Sequence, residues 1–568
     1  MISRHSIALR VVLVASTLGL ASGCSMIKYL PFLKAPVNTR PGGRSETIRG
    51  PAFADSAPAA PDAESEWPLY NHMFSSTRYS PLAQITIANV GALRSVCSYH
   101  TGERTPMQSG PIVVHGTMYV TTGTATYALD PATCALRWKH VYDYPKPDYD
   151  LGTNRGVAYV ETPDGARVVR GANDGRVYAL DTRTGDEVWN VKTGDLSRGE
   201  TFPAAPITWH GMVYIGNAGG DNFGVTGRML ALDARTGARV WSTELVPTSG
   251  LANATWPAET DKVPRGGGTT WTSYTLDTLT GTLYVPTGNA APDFLTDVRE
   301  GEDKHTYSVV AIDARTGVLR DAYQLLARDN HDWDVASAPL LVTTSNGRAI
   351  IAEAGKDGHL YGIDRASGRI TYRTPITTIE NADAPMTAAG TRFCPGVQGG
   401  VEWNGPAYSP RTDALYVGAV DWCTTVKVAP ASKLEDKRGI PWTGSALLKE
   451  PFGKMDPLAR RRGWLTAVDA QSGSVRWRYA SPSPLVAGVT ATGGGLVFAA
   501  DLSGNLMAFD ERDGSIRFRY ATGQPIGGGI VTYLVNGKQY VAVASGLNAP
   551  DTWQVESSPA TIVVLALP

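Results

Sequence analysis

The sequence predicts an all-β protein, an eight-bladed β-propeller over residues 67–568, on three observations. A phrase close to Ala-X-Asp-X-X-Thr-Gly, ending near an aromatic residue, occurs seven times. The spacing of the copies fits four-stranded units with loop insertions. The two ends of the chain carry the two halves of an eighth copy.

Each copy of the phrase is typical of a strand, a tight turn and a second strand. Ala-Leu-Asp closes an apolar strand, Asp and Thr can hydrogen-bond the turn backbone, and Gly supplies a residue with positive φ. The aromatic residue is expected to anchor one unit on its neighbour. The copies carry Asp130, Asp181, Asp233, Asp313, Asp364, Asp469 and Asp510. The aromatic position holds Trp138, Trp189, Trp241, Tyr372, Trp477 and Phe518, while the copy at Asp313 has Asp321 there.

The spacing between copies favours blades over a solenoid of short repeats. Successive motif Asp residues lie 51, 52, 80, 51, 105 and 41 residues apart. The two long gaps are interpreted as insertions, the first at Arg265–Val298 and the second at Ile376–Cys394 and Thr424–Gly463. Insertions of this kind are accommodated in the loops that join strands.

The eighth unit is predicted to be split between the chain ends. Thr561–Pro568 reads as the strand before a motif turn, and Gly91–Gly102 reads as the strand after one. Pairing these two segments would close the ring and leave no exposed sheet edge.

The composition is typical of a turn-rich globular protein and argues against nucleic acid as a partner. The 568 residues include 61 Gly and 37 Pro, and 42% of them are hydrophobic against 18% charged. The net charge of -1 offers no basic surface for nucleic acid. The sequence therefore predicts no nucleic-acid partner.

The N-terminus has the pattern of an export signal. Arg4 and Arg10 give a positive start, and Val11–Leu20 is an apolar run too short to span a bilayer as a helix. Small residues then lead to Cys24, so residues 1–23 resemble a bacterial lipoprotein signal peptide with Cys24 as the lipidated residue. An ordinary signal peptide with an incidental Cys is the alternative.

The residues after the anchor indicate where the protein resides. Ser25 in place of Asp favours the outer membrane, which predicts a periplasm-facing lipoprotein of the cell envelope. Residues 24–66 are rich in Pro, Ala, Gly and Ser and are predicted to form a flexible tether.

Export to an oxidising compartment makes the other four cysteines candidates for disulfides. Cys394 and Cys423 flank a Gly-rich segment and a strand, and Cys97 and Cys134 lie in docking-motif strands or turns. These are the two predicted pairs. The sequence contains no Cys-X-X-Cys-His, which argues against covalent haem.

Several motifs outside the repeat resemble those of the quinoprotein alcohol dehydrogenase family. They are WPLYNHMFSSTRYSPLAQI at Trp67–Ile85, GGGTTW at Gly266–Trp271, PTGN at Pro286–Asn289 and HDWD at His331–Asp334. The resemblance implies pyrroloquinoline quinone (PQQ) and Ca²⁺ on the propeller axis. It also implies a carboxylate base that removes the hydroxyl proton of an alcohol while hydride passes to the quinone.

The same resemblance suggests which residues bind the quinone. Trp271 matches the aromatic floor, Arg155 the arginine that binds cofactor carboxylates, and Lys356 the cation near the quinone oxygens. A flat tricarboxylate requires groups of this type. The alternatives are a blade anchor for the Trp, a loop salt bridge for the Arg and a turn residue for the Lys. Gln108 and Thr201 are further candidate contacts.

Asn289 matches a metal-ligand Asn of the family, and Asp334 matches the catalytic base, which is also a ligand. HDWD could instead be a solvated loop. However, it precedes the apolar strand Ala338–Val342, which places Asp334 at a strand mouth. Lanthanide-using members are thought to carry an Asp two residues after the base, where this chain has Ala336, so Ca²⁺ is the expected metal.

The chain also departs from the family pattern. Tyr149 and Asp150 replace two adjacent cysteines, and Asp221-Asn222 stands where a metal-binding Glu is expected. Asp221 and Asn222 are therefore the candidate replacement ligands. Gln108 stands in place of a Glu, and Pro203 in place of a hydroxyl residue, although Thr201 remains.

Two functions remain open at this level. The first is a lipid-anchored dehydrogenase that oxidises a small alcohol and passes electrons to a separate acceptor, such as a cytochrome c or a membrane quinone. The second is a non-catalytic propeller lipoprotein that scaffolds other envelope proteins. The set Arg155, Trp271, Asn289, Asp334 and Lys356 favours the dehydrogenase, because blade packing alone does not require these residues.

Overall fold

The computed structural model describes residues 43–51, 64–146, 151–260, 263–434, 437–447, 449–557 and 559–568. The predicted signal peptide, Cys24, most of the tether, and Tyr149 and Asp150 lie outside these residues. Among the helices of the described part, none is both long and apolar enough to cross a membrane.

β-Strands are the dominant regular secondary structure of the described residues. The first strands are β1 (Arg44–Arg49), β2 (Tyr79–Ser80), β3 (Arg94–His100), β4 (Ile112–Val114), β5 (Thr117–Thr121), β6 (Ala125–Leu129), β7 (Leu136–Asp143), β8 (Ala158–Thr162), β9 (Gly165–Gly171), β10 (Arg176–Asp181), β11 (Glu187–Lys192), β12 (Ile207–Trp209), β13 (Met212–Gly216), β14 (Arg228–Asp233) and β15 (Arg239–Glu244). They are followed by β16 (Gly266–Gly267), β17 (Thr275–Asp277), β18 (Thr282–Pro286), β19 (Ala290–Ala291), β20 (Ser308–Asp313), β21 (Leu319–Gln324), β22 (Leu340–Thr343), β23 (Ala349–Ala354), β24 (His359–Asp364), β25 (Ile370–Pro375), β26 (Thr391–Phe393), β27 (Ala407–Ser409) and β28 (Ala414–Asp421). The last are β29 (Thr424–Val426), β30 (Lys454–Met455), β31 (Arg462–Asp469), β32 (Val475–Ser481), β33 (Thr490–Thr492), β34 (Leu496–Ala500), β35 (Asn505–Asp510), β36 (Ile516–Ala521), β37 (Ile530–Val535), β38 (Lys538–Ser545) and β39 (Thr561–Ala566). One short α-helix, α1 (Gly250–Asn253), and five 3₁₀ turns complete the described elements, the turns being Val90–Ala92, Leu196–Arg198, Thr296–Val298, Ala431–Lys433 and Leu458–Arg460.

The strands form eight sheets of four or five strands within the described residues, together with two smaller sheets. The eight sheet orders are β1-β7-β6-β5-β4, β11-β10-β9-β8, β12-β13-β14-β15, β17-β18-β20-β21, β22-β23-β24-β25, β27-β28-β31-β32, β2-β33-β34-β35-β36 and β3-β39-β38-β37. Each contains an antiparallel four-strand unit, which is the architecture of propeller blades. The all-β propeller prediction is confirmed, and the eight sheets are consistent with eight blades.

The repeated phrase forms the turn between the last two strands of a blade. In one copy, Oδ1 of Asp233 accepts hydrogen bonds from the backbone N–H of Arg235 and of Thr236 and from the Thr236 hydroxyl. Gly237 follows with φ of +74°. The Asp and the Gly thus fix a turn that most other residues would strain.

The aromatic residue of one repeat docks on the turn of the next. The indole N–H of Trp138 donates to the carbonyl of Thr182 at 2.9 Å. Its ring packs so closely on Gly185 that a Cβ at this position would lie 2.6 Å from the ring. Equivalent hydrogen bonds join Trp189 to Ala234, Trp241 to Ala314, Tyr372 to Ala470 and Trp477 to Glu511. The predicted anchoring between neighbouring units is confirmed.

Apolar residues of adjacent sheets share common clusters between the blades. Val177 of β10, Tyr214 of β13 and Leu283 of β18 are fully buried members of one such cluster. The core is therefore distributed around the ring, and the loops at the strand ends are left to build a site.

The split blade is present. β39 lies between β3 and β38 and pairs antiparallel with both, so that His100 faces Thr561 in one ladder and Ser545 faces Thr561 in the other. The end of the chain is thus a central strand of its sheet. This arrangement closes the ring as the sequence predicts.

Part of the segment predicted as a tether is ordered as a strand. β1 adds a fifth strand to the first sheet by pairing antiparallel with β7. Its side chains are largely exposed, so hydrogen bonds rather than apolar burial hold it there. The backbone ladder is supplemented by side-chain contacts of Ser45 with Glu187 and of Thr47 with His140. Both predicted disulfides are confirmed, Cys97–Cys134 and Cys394–Cys423.

Candidate active site

A cavity of about 640 Å³ gathers the residues that the motifs single out. The nine predicted cofactor, metal and catalytic residues all line it, namely Gln108, Arg155, Thr201, Asp221, Asn222, Trp271, Asn289, Asp334 and Lys356. Trp271 and Asn289 lie in the first long insertion, and the other seven come from segments outside both insertions. Residues 450–457, inside the second insertion, line the same cavity.

Asp334 is held on both carboxylate oxygens. Its Oδ1 accepts the backbone N–H of Asn289 at 2.9 Å, and its Oδ2 lies 2.8 Å from Nζ of Lys356. The side chain is 6% exposed and lines the cavity. These contacts exclude the alternative of a solvated loop for HDWD.

Trp271 has two cations on its ring. The guanidinium of Arg155 lies 4.5 Å from the ring centroid, and Nζ of Lys356 lies 5.7 Å from it. Arg155 also donates to the backbone carbonyl of Trp271 at 2.8 Å. An aromatic face flanked by two positive charges suits a flat, anionic ligand.

Buried polar atoms in the cavity wall lack protein partners, which tests the fit of such a ligand. Nε of Arg155 and Oε1 of Gln108 are both buried without a hydrogen bond. An unpaired buried donor carries a large free-energy cost unless a ligand or water satisfies it. Burial lowers the pKa of Arg155 to about 10, and it stays protonated at neutral pH. The residues present therefore fit a carboxylate-bearing quinone.

Thr201 and Asn222 line the cavity but are engaged with protein backbone. Thr201 forms a bridge with Ala218 through its backbone, and the Asn222 side-chain amide donates to the carbonyl of Gly199 at 3.3 Å. The Asn289 side chain opposes the rise in the pKa of Asp221, and its amide donates to the backbone carbonyl of Ala290 at 3.3 Å. Asp221, rather than Asn222, is thus the member of this pair that faces the other acidic residues.

The structure brings together two acids that the sequence analysis did not assign. One carboxylate oxygen from each of Asp221, Asp293 and Asp332 can be chosen so that all three lie within 4.8 Å of one another. Asp332 belongs to HDWD, a signal that could have revealed it. Asp293 follows Asn289 by four residues and has no motif of its own.

The acids raise one another's pKa. Burial, with the negative charge of Asp334, raises the pKa of Asp221 to about 6. Burial and neighbouring carboxylates raise the pKa of Asp293 and of Asp332 well above the usual range. Burial opposes charge on Lys356, but Asp332 and Asp334 outweigh it and hold the pKa of this lysine well above its usual value. The site carries more negative charge than Lys356 offsets.

Glu402 is a further cavity residue that the sequence analysis missed. Burial raises the pKa of its carboxyl to about 7, and its Oε1 has no hydrogen-bond partner. It adjoins Trp403, whose ring centroid lies 5.6 Å from the Arg155 guanidinium.

Taken together, the cavity joins a flat cationic binding surface to a cluster of carboxylates. The surface can hold an aromatic anion, the carboxylates can bind a hard cation, and Asp334 can accept a proton from a ligand in the cavity.

Comparison with known proteins agrees with this arrangement. A family model described as the glucose/ethanol/alcohol dehydrogenase β-propeller domain matches residues 67–389, which is more than half of the chain. A second model, described as outer membrane protein assembly factor BamB, matches residues 461–567.

Individual relatives match over most of their length. Quinohemoprotein alcohol dehydrogenase from Comamonas testosteroni is 30% identical, with 87% of this chain and 77% of the relative covered. Lanthanide-dependent methanol dehydrogenase from Methylacidiphilum fumariolicum is 30% identical, with 85% of each covered. The solved structure of quinohemoprotein alcohol dehydrogenase ADHIIG from Pseudomonas putida HK5 superposes with a TM-score of 0.77 at 27% identity, covering 90% of this chain and 83% of that one. The chain therefore belongs to the PQQ-dependent quinoprotein alcohol dehydrogenase family and is an oxidoreductase of the β-propeller class.

Proposed function

We propose that this protein oxidises small alcohols with PQQ and Ca²⁺ on the periplasmic side of the cell envelope. The observation that supports this most directly is the convergence of Arg155, Trp271, Asn289, Asp334 and Lys356 on one cavity. Family membership gives the class of reaction, and the cavity supplies residues suited to it.

The quinone would lie against the Trp271 ring, because that ring is the aromatic surface flanked by cations. Arg155 and Lys356 would pair with its carboxylate and quinone oxygens, and the free Nε of Arg155 provides an unused donor. When bound, the quinone supplies the two-electron acceptor for the hydride that leaves the alcohol carbon.

Asp334 would act as the base. It would accept the hydroxyl proton of the alcohol as the C=O bond forms, a role that needs a carboxylate fixed within hydrogen-bond reach of the substrate. Lys356 and the Asn289 N–H hold that carboxylate in place. The cation would be held near Asn289 and Asp221, whose oxygen ligands suit Ca²⁺.

The reduced site requires an electron acceptor. Two relatives carry an acceptor in their names, a methanol dehydrogenase (cytochrome c) subunit from Methylorubrum extorquens and an alcohol dehydrogenase (quinone) dehydrogenase subunit from Gluconacetobacter polyoxogenes. We infer a separate acceptor of this kind, a cytochrome c or a membrane quinone. Lipidation of Cys24 would keep the propeller near membrane-bound partners.

A direct assay tests the activity. Protein stripped with a chelator is reconstituted with PQQ and CaCl₂ and supplied with an artificial dye and a short primary alcohol. We expect dye reduction that requires the alcohol, PQQ and Ca²⁺ together. Absence of alcohol-dependent reduction across primary and secondary alcohols would contradict the proposal.

The anchor has its own test. The Cys24→Ser variant should be recovered in the soluble periplasmic fraction or remain unprocessed, whereas the unmutated chain should fractionate with membranes. Equal membrane recovery of both proteins would contradict lipidation at Cys24.

The scaffold function is kept as a second candidate because residues 461–567 match the BamB model. It does not account for the unpaired buried donor at Arg155 or the base at Asp334. A protein that binds neither PQQ nor Ca²⁺ but retains envelope partners would favour it.

A further inference from the structure

The carboxylate of Asp293 is buried without a hydrogen-bond partner. Its side chain is 0% exposed, and neither carboxylate oxygen has a hydrogen-bond partner. An ionised carboxylate in this position costs several kcal/mol unless a cation balances it. The residue therefore indicates a ligand that the protein itself does not provide.

Protein cations near Asp293 are engaged elsewhere. The Arg299 guanidinium pairs with Asp303, and it donates to the backbone carbonyl of Asp293 rather than to its carboxylate. Lys356 is 2.8 Å from Asp334 and 3.9 Å from Asp332. Neither side chain satisfies the carboxylate oxygens of Asp293.

The neighbouring acids have the spacing of a coordination shell. Oxygen ligands bound to one Ca²⁺ at about 2.3–2.6 Å cannot lie more than about 5 Å apart. The chosen oxygens of Asp221, Asp293 and Asp332 meet this limit, because all three lie within 4.8 Å of one another. Surface acids usually pair with solvent-exposed lysines. Among the described residues, no exposed lysine pairs with Asp221, Asp293 or Asp332.

We propose that Asp293, together with Asp221 and Asp332, binds the cation of the active-site cavity. These carboxylates take the place of the metal-binding Glu that the family pattern has where this chain reads Asp221-Asn222. The role of this cation in alcohol oxidation rests on the proposed function. The binding of the cation does not depend on that function. The cation is a hard divalent ion, with Ca²⁺ as the probe, because all three ligands are carboxylates. The proposed site thereby joins Asp221 of the Gly219–Asn222 loop to Asp293 and Asp332, which lie outside that loop.

Calorimetric titration of CaCl₂ into chelator-stripped protein tests the proposal without quinone or alcohol. The Asp293→Asn variant should bind Ca²⁺ roughly tenfold more weakly or worse, since one charged ligand is lost. The control is Asp551→Asn, which removes an exposed acid that lines the same cavity and should leave the affinity within about twofold, because an exposed charge is screened by solvent.

Melting temperature separates a ligand from a structural residue. Without metal, Asp293→Asn should melt at the same temperature as the unmutated chain or higher, because the uncompensated carboxylate is gone. The rise in melting temperature that CaCl₂ gives the unmutated chain should shrink in the variant.

Two results would overturn the proposal, and neither depends on dehydrogenase activity. One is an unmutated protein that binds no Ca²⁺, and the other is an Asp293→Asn protein with unchanged affinity. Should Asp293→Asn fail to fold, Asp332→Asn is subject to the same titration and the same criterion. Failure of alcohol oxidation in a protein that binds Ca²⁺ through Asp293 would contradict only the proposed function.

Discussion

The ammonium group of Lys356 lies 2.8 Å from Oδ2 of Asp334 and 5.7 Å from the centroid of the Trp271 ring. With the Asn289 N–H on the other oxygen, the carboxylate has one defined orientation before any substrate binds. A base that is fixed in advance needs little reorganisation during proton transfer.

Asp334→Asn should keep the fold and lower dye-linked alcohol oxidation by about 10²- to 10⁴-fold, the usual contribution of a general base. Asn preserves the hydrogen bond from the Asn289 N–H but cannot accept the proton. Metal content must be measured beside the rate, because weaker Ca²⁺ binding would also lower activity. Full activity in the variant would eliminate Asp334 as the base.

Trp271→Ala should weaken PQQ binding and leave Ca²⁺ binding in the unliganded protein nearly unchanged. The ring offers the stacking surface, and it also supports the Arg155 guanidinium 4.5 Å away. Trp271→Phe is the matched control and should retain most of the affinity in a fluorescence titration. Equal PQQ affinity in the Ala variant and the unmutated chain would refute the stacking role.

Glu402→Gln should change how stability depends on pH. The folded-state pKa of about 7 lies above the ordinary value of 4.5. Because this pKa is raised in the folded state, Glu402 contributes to the free energy of unfolding in full below pH 4.5. That contribution is lost as pH rises through 7. Gln does not titrate, so the variant keeps its stability over this range while the unmutated chain loses some. The free energy of unfolding of the variant, relative to that of the unmutated chain, should therefore increase by about 3 kcal/mol between pH 4.5 and pH 8.

Urea unfolding of both proteins, free of quinone and metal, measures that difference at the two pH values. A difference that does not change with pH would show that Glu402 titrates alike in the folded and unfolded states.

Removal of Thr561–Pro568 should unfold the protein or make it aggregate. The deletion takes out β39, a central strand paired on both sides, and exposes the edges of β3 and β38. Deletion of Pro568 alone, which lies beyond the strand, is the control. Unchanged melting of the longer deletion would contradict closure of the ring by the chain ends.

The propeller could be predicted because its determinants are local. Asp233 and Gly237 form the same turn in any blade, and Trp138 needs only a Gly on the next repeat to dock. β1 could not be predicted. Its sequence Arg-Ser-Glu-Thr-Ile-Arg has no buried alternation, and it adds to β7 through a backbone ladder and polar side-chain contacts such as that of Thr47 with His140.

Some residues of the candidate site could be predicted from the sequence and others could not. Trp271 and Asp334 lie in motifs that the sequence displays, and the cavity brings them together. Asp293 and Glu402 have no local signal, because an acid becomes informative only when folding buries it without a partner. Their contribution depends on long-range packing that periodicity does not encode.

The central claim is that the cavity binds PQQ and Ca²⁺ in one site. Titration of PQQ into the purified, chelator-stripped protein, with and without CaCl₂, tests it most directly through quenching of tryptophan fluorescence. We predict saturable binding that is tighter with Ca²⁺ present and that weakens in Trp271→Ala. Absence of saturable PQQ binding in the presence of Ca²⁺ would contradict the account.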